Sequence, residues 1–468
     1  MPPHLILALL ALAGCALPFA AIAGPAAATE RSWQPGDHHV HSEWSVDWDH
    51  RTTPPTPIAG GDSQYSRTRN AQQARAYGLT WMVHTDHGGP GHSRVNRDQA
   101  WPALQQARAA VPGLIQFHGM EFDVPAAEHA SLIIAPGPEE REQLYRIERD
   151  YSRAEPLPPA RRDEEAQMIA ALGHLRTLTP LPLMLVNHPS RTATGFGQWG
   201  EVTPRELRAW NDAAPEVLVG MEGAPGHQAA VPHRGLYRNA TAPTLGGFDQ
   251  MTAQLGGTWD ALLAEDRRFW ITASSDSHVN QRDGGGDFDP GQYSKTYVWA
   301  RREASDILDG LRNGRAFAVS GDLIDALELR VAAADGTAPS ATLGETLTLP
   351  AGAPMRITLQ LRQPRAPNAH GERPALHHVE VIIGEPGAGT APRMRSRIFD
   401  AAALHREGDW LTLSWTLPAP AQGGFVRVRG SSTAEHQPLP DINGEDPWQD
   451  LWFYSNPVFI RPASTPSP

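Results

Sequence analysis

Short apolar runs alternate with helical periods from about residue 36 to 320. The runs at 38–41, 79–83 (LTWMV), 114–118 (LIQFH), 130–134 (ASLII), 183–187 (LMLVN), 217–221 (VLVGM), 269–273 (FWITA) and 296–299 (TYVW) have the length and bounds of buried strands. The stretches 64–77, 96–110, 139–152, 163–178, 204–211, 251–266 and 304–313 carry helical spacing. Strand and helix in alternation predict an α/β architecture with a parallel sheet, and about seven or eight such units suggest a barrel. After about residue 321 the pattern changes. "ALELRVAAADG", "MRITLQLRQ", "HHVEVIIGEPG", "WLTLSWTLP" and "GFVRVRGSS" are short alternating runs broken by Gly, Pro and Asp turns. They predict an antiparallel β-sandwich over 321–461, with a disordered tail at 462–468.

The N-terminus changes this picture little. Residues 5–23 are apolar and uncharged, and Ala21 and Ala23 give a small-residue cleavage pattern. The expectation is a signal peptide over 1–23, a linker over 24–35, and a periplasmic or secreted mature chain. "LAGC" at 12–15 offers a competing lipobox, which would anchor the chain by a lipid on Cys15. That cysteine is the only one, so a chain cleaved after Ala23 has neither disulfides nor thiolate ligands. No later stretch is long and apolar enough to span a membrane as a helix. A formal net charge of -12, with no basic stripe, argues against long nucleic acids as partners.

The chemistry lies at the ends of the predicted strands. "GDHHVHSEWSVDWDH" (36–50) crowds imidazoles and carboxylates together. If 37–41 is extended, His39 and His41 share a face and can chelate one ion. Strand 79–83 runs into "HTDH" (84–87), 114–118 into "GMEFD" with Glu121, and 183–187 into His188. Strand 217–221 runs into Glu222, and 269–273 into "SSDSH" with Asp276 and His278. In an α/β barrel the C-terminal strand ends surround one site. Imidazole and carboxylate without thiolate suit Zn, Mn or Fe, and the donors outnumber the needs of one ion, so two or three divalent ions are expected.

The ordered set "DHHVH", "HTDH", "GMEF", "EHASLI", "NHP" and "SDSH" resembles the PHP (polymerase and histidinol phosphatase) superfamily over residues 36–320. "LRNGRAFAVSG" (311–321) and "FYSNPVFI" (453–460) look more loosely like its secreted branch of carbaryl-type carbamate hydrolases. The resemblance implies a distorted (β/α)7 TIM-like barrel with a trinuclear site. His39, His41, Glu121 and Asp276 would hold the first ion. Glu121 would bridge to a second, completed by His129 and His188. Asp47, His87 and His278 would hold the third. Asp86 would stand behind the ligands and orient an imidazole.

Such a site implies hydrolysis by a metal-bound hydroxide, with Glu121 and Asp276 at the reacting centre. No G-x-S-x-G element is present. The expected substrates are small phosphate esters; an ester or carbamate hydrolase and a metal-dependent binding protein are the alternatives. Arg191 is the first choice for gripping phosphate, with Arg282, Lys295 and Arg94 as further cationic candidates. His227 and His92 sit on Gly-rich loops where either could protonate a leaving group. Loop 282–292 reads as an active-site flap. Trp44, Trp48, Trp81 and Trp199 could line an apolar pocket, although core packing suits Trp81 better.

Overall fold

The computed structural model describes residues 30–155, 163–226, 237, 239–336, 339–389 and 391–463. The expected leader, residues 24–29 of the linker, His227 and residues 464–468 lie outside the described residues. Among the described residues no helix is long and apolar enough to cross a membrane.

The fold is mixed α/β around a fifteen-stranded sheet. One half of that sheet runs through Ala316–Ser320, Ser294–Ala300, Ser32–Asp37, Trp81–His84, Ile115–Asp123, His129–Ile134, Leu183–Val186, Leu218–Ala224 and Trp270–Ala273. Helices Arg67–Ala76, Trp101–Ala110, Glu140–Tyr151, Glu165–Leu175, Pro204–Ala213, Thr258–Ala264 and Ala304–Arg312 intervene along the chain. Most of these elements fall within a few residues of the spans the pattern predicts. The span 251–266 is divided into Gln250–Ala253 and Thr258–Ala264 around Gly256, whose φ of 76° an L-side chain rarely adopts.

Two features depart from the expected barrel. The sheet is not all parallel: His129–Ile134 pairs antiparallel with both Ile115–Asp123 and Leu183–Val186. Only residues 124–128 join the first pair. A parallel partner needs a crossover of a dozen residues or more, so this connection can only make a hairpin. Ser32–Asp37 likewise runs antiparallel to Ser294–Ala300.

The sheet also stays open. Trp270–Ala273 ends the strand order, and side chains bond its outer edge where a ladder would close a barrel. Thr296 Oγ1 accepts from Ala273 N at 2.8 Å and donates to Ala273 O at 2.7 Å. Asn456 Oδ1 accepts from Ile271 N at 2.9 Å, and its Nδ2 donates to Ile271 O at 3.2 Å. The edge backbone is thus satisfied without a strand partner. The sheet curls far enough to bring its strand ends around one region.

The first strand begins earlier than expected. Ser32–Asp37 takes the ladder positions, so the linker span 24–35 ends inside a strand. Residues 38–41 run beyond the ladder, where Val40 makes a single bridge to Ser277.

The C-terminal strands extend the same sheet. Ala316–Ser320 pairs with Trp452–Ser455, followed by Gly424–Ser431, so the sheet continues across the boundary expected at 320/321. A separate four-stranded antiparallel sheet holds Ala326–Ala333, Pro354–Arg362, Trp410–Pro418 and His405–Glu407. Its inward residues Leu327, Leu329, Ile357 and Leu359 share a core with Val379, Val381, Val426 and Val428. Strand Gly424–Ser431 divides two cores by its alternation: Val426 and Val428 face this one, whereas Phe425 joins the core of the N-terminal half.

Candidate metal centre

Three donor groups meet at the strand ends. The first is His39, His41, Glu121 and Asp276; the second is Glu121, His129 and His188; the third is His41, Asp62, His87 and His278. Within each group the donor atoms lie within 4.8 Å of one another. Glu121 belongs to two groups and His41 to two, so the three are contiguous. This brings together eight of the nine ligands expected from the sequence.

The local backbone explains how they converge. Glu121 lies three residues past the His84–His118 pairing, where its strand outruns its parallel neighbour. His41 N donates to Ser277 O at 3.0 Å, and Glu121 N donates to Thr85 O at 2.9 Å, locking adjacent strand ends together. His188 and Asp276 have positive φ, 27° and 46°. A left-handed backbone costs a non-glycine residue of order 1 kcal/mol and collects at functional sites.

The donor set fits a cation. His39 Nδ1 lies 2.7 Å from Glu222 Oε1, an oxygen of a buried carboxylate that His39 holds down to about 2 against the effect of burial. Nδ1 therefore donates, and in the neutral ring the Nε2 lone pair faces inward. There it meets His41 Nε2 at 3.0 Å, Asp276 Oδ1 at 3.1 Å and Glu121 Oε1 at 3.2 Å. Acceptors crowded together in a buried site favour a positive charge among them, a proton or a metal ion. Glu121 Oε1 also lies 2.9 Å from His188 Nε2 and 3.1 Å from His129 Nδ1. Asp62 Oδ2 lies 3.1 Å from His278 Nε2 and 3.3 Å from His87 Nε2.

Protons compete for these places. Burial would lower His129, but Glu121 and Asp123 outweigh it and hold the imidazole up to about 10. Burial is likewise outweighed at His278, where Asp62 and Asp276 hold it up to about 10. His41 goes the other way: burial and the neighbouring His278 push it to about 4. The candidate ligand imidazoles thus divide into proton-holding and proton-free members, and a metal ion would displace protons from the former.

Asp47 is the expected ligand that the structure leaves out of these groups. It is exposed on the short hairpin strand Asp47–Asp49, with its side chain against Gly61. Asp62, next in the chain to Gly61, reaches His87 and His278 instead. The signal was present as a lone acid in the Gly-rich turn "GGDS" (60–63). Asp86 does not orient an imidazole. Its carboxylate accepts from Ser42 N and Oγ and from Arg67, so it fixes the backbone after His41. Glu222 orients the His39 imidazole, and it also accepts from His188 N at 2.7 Å.

Of the cationic candidates, Arg191 reaches the centre. It pairs with Glu128, and its Nη2 lies 3.3 Å from His129 Nδ1, with about a third of the side chain exposed. Lys295 is buried and bound to Asp322 at 2.6 Å, and Arg282 bonds Tyr77, Asn280 and Asp289. Neither is joined to the donor groups. His92 is buried between Glu148 and Trp44 O, with both ring nitrogens engaged. Trp81 is core, donating to Gln34 O, and Trp48 lines a side cavity of about 600 Å³ with Pro54, Pro90 and Tyr145.

No family model matches the chain. No curated protein matches it.

Proposed function

We propose that the protein is a metal-dependent hydrolase of phosphate esters, arranged on the plan of the PHP superfamily. The observation that carries the reading is the sharing of Glu121 and His41 among three contiguous donor groups. Such sharing suits ions close enough to act on one substrate group. Divalent ions in such a site acidify water and stabilise negative charge that develops on a phosphoryl or carbonyl oxygen. The chain's own residues do the rest. His39, His41, Glu121, His129, His188, Asp62, His87, Asp276 and His278 would hold the ions. Glu222 keeps the His39 proton on Nδ1, and so keeps Nε2 a donor of electrons. Arg191 stands beside the second group, where its planar guanidinium suits a phosphoryl oxygen.

The test is hydrolysis by the mature protein loaded with Mn(II) or Zn(II). The substrates are p-nitrophenyl phosphate, bis(p-nitrophenyl) phosphate and 1-naphthyl N-methylcarbamate. Phosphate-ester turnover is expected, and Glu121→Ala should remove it by about 10³-fold or more, the scale of several kcal/mol of charge stabilisation. Carbamate turnover with negligible phosphatase activity would replace this reading with the ester and carbamate one.

A further inference from the structure

We infer that His38 is a positioning residue: with Thr272, Ser131 and Asn187 it forms a hydrogen-bond chain of fixed direction that sets the orientation of Glu121. This rests on the metal-centre reading above. The polarity can be followed atom by atom. Ser131 N donates to the Asn187 side chain at 2.9 Å, which identifies the accepting atom as Oδ1. Asn187 Nδ2 is therefore the atom that donates to Glu121 Oε1, at 3.1 Å. Ser131 Oγ donates its one proton to the same Oδ1 at 2.9 Å. Its oxygen can then only accept from His38 Nδ1, at 3.1 Å. A ring protonated on Nδ1 presents a lone pair at Nε2, where Thr272 Oγ1 donates at 2.8 Å. The competing acceptor for that hydroxyl, Met221 O, is farther away at 3.3 Å.

These five side chains are all at most 2 % exposed. Apolar residues would fill the same volume without the cost of burying polar atoms. The members are also spread to advantage. Ser131 is two residues from His129, Asn187 precedes His188, and Thr272 lies on the strand leading to Asp276. One imidazole thus couples three ligand-bearing strands and ends on the carboxylate that two donor groups share. Without His38, the Ser131 hydroxyl loses its fixed direction and the grip on the Asn187 amide loosens. The hold of the Asn187 amide on Glu121 then weakens, and the carboxylate is less firmly oriented.

The experiment measures cobalt binding by the full mature chain, as affinity by chelator competition and as the visible Co(II) spectrum. His38→Phe keeps a ring and removes both nitrogens. Binding at the Glu121 groups is expected to weaken about 10- to 100-fold, the range for losing a ligand's supporting partner, with an altered spectrum. His38→Asn, which can still donate from near the Nδ1 position, should recover part of both. Thr272→Val and Ser131→Ala are milder breaks in the chain. They should shift the same spectrum, and they carry the test if His38→Phe does not fold. In combination with Ser131→Ala, the effect of Thr272→Val should largely disappear. Wild-type affinity and spectrum in the folded variants would overturn the inference while leaving the centre standing, even if melting temperatures fell. A wild-type chain that binds no cobalt would remove the centre itself, and the inference with it.

Discussion

Two regions of the large sheet bury charge in opposite ways, the strand that carries Arg427 and Arg429 and the candidate metal centre. In the C-terminal part each buried arginine has its own carboxylate. Arg427 bonds Asp260 at 2.7 and 2.8 Å, and Arg429 bonds Glu380 at 2.7 Å, with all four residues at most 1 % exposed. Arginine stays charged and its fork matches a carboxylate, so each of those charges has a permanent partner. At the candidate metal centre Asp276 and Glu121 face imidazoles instead, and an imidazole's proton can leave. One region is closed by permanent charge; the other is held by exchangeable charge that an ion can replace. Buried ionic groups by themselves therefore do not mark a site. What marks it is a cluster of imidazole and carboxylate donors in which the imidazole charges are removable.

The largest expected effect breaks the closed region. Arg427→Ala should cost about 3–5 kcal/mol by leaving Asp260 buried and unpaired, read as a lowered midpoint in urea unfolding. Replacing both partners, Arg427→Met with Asp260→Leu, should recover most of that loss. A single variant as stable as the wild type would dissolve the contrast.

The next sharpens the open region. Asp62→Asn should lose one bound ion when metal is counted after dialysis, whereas Asp47→Asn should keep the wild-type content. The reverse outcome would restore Asp47 as the ligand.

Exchangeability itself predicts a pH dependence. His129 and His278 hold protons up to about 10 in the metal-free chain. Metal must displace them, so apparent affinity should rise with pH between 6 and 9 and binding should release protons, which calorimetry in buffers of different ionisation enthalpy would count. Affinity independent of pH would mean that the imidazoles are already proton-free.

The smallest effect uses a pair of the exchangeable kind that has no metal role. His92 is raised to about 9: burial lowers it, but Glu148 at 2.6 Å outweighs burial. A raised imidazole stabilises the fold fully below its unfolded pKa of about 6.5, and that contribution is lost as pH rises through about 9. Glu148 is itself raised by burial, and a raised carboxyl also favours stability at lower pH. The stability difference between wild type and His92→Gln should therefore be larger at pH 6 than at pH 9.5. An equal difference at both would show that the pair does not titrate in this way.

Many of the donors the structure draws together were legible because they cluster where strands end. "HTDH", "NHP" and "SDSH" directly follow apolar runs, and the chain's period marks those runs. Asp62 carried only a weak signal, a lone acid in a Gly-rich turn. It sits on an irregular turn after a short hairpin, in no periodic element, and only folding sets it beside His87. The openness of the sheet was hidden for a related reason. Thr296 and Asn456 read as ordinary polar residues, yet they bond the edge strand from elements distant in sequence. The hairpin was hidden because the run expected at 114–118 continues as strand to Asp123, which shortens the link from 119–129 to 124–128.

The sequence by itself determined the alternation of strands and helices, the change to short alternating strands after about 321, and the kinds of donor available. Local periodicity and residue chemistry are enough for these. Tertiary structure alone decided which acid completes the third group, which glutamate orients His39, and that the ladder stays open. Each of these depends on contacts between residues far apart in the chain, and such contacts leave no local pattern. The polarity of the His38 chain is of the same kind. Each proton's direction is set by a neighbour on another strand, and the carboxylate at its end becomes a fixed point only when all of them have come together.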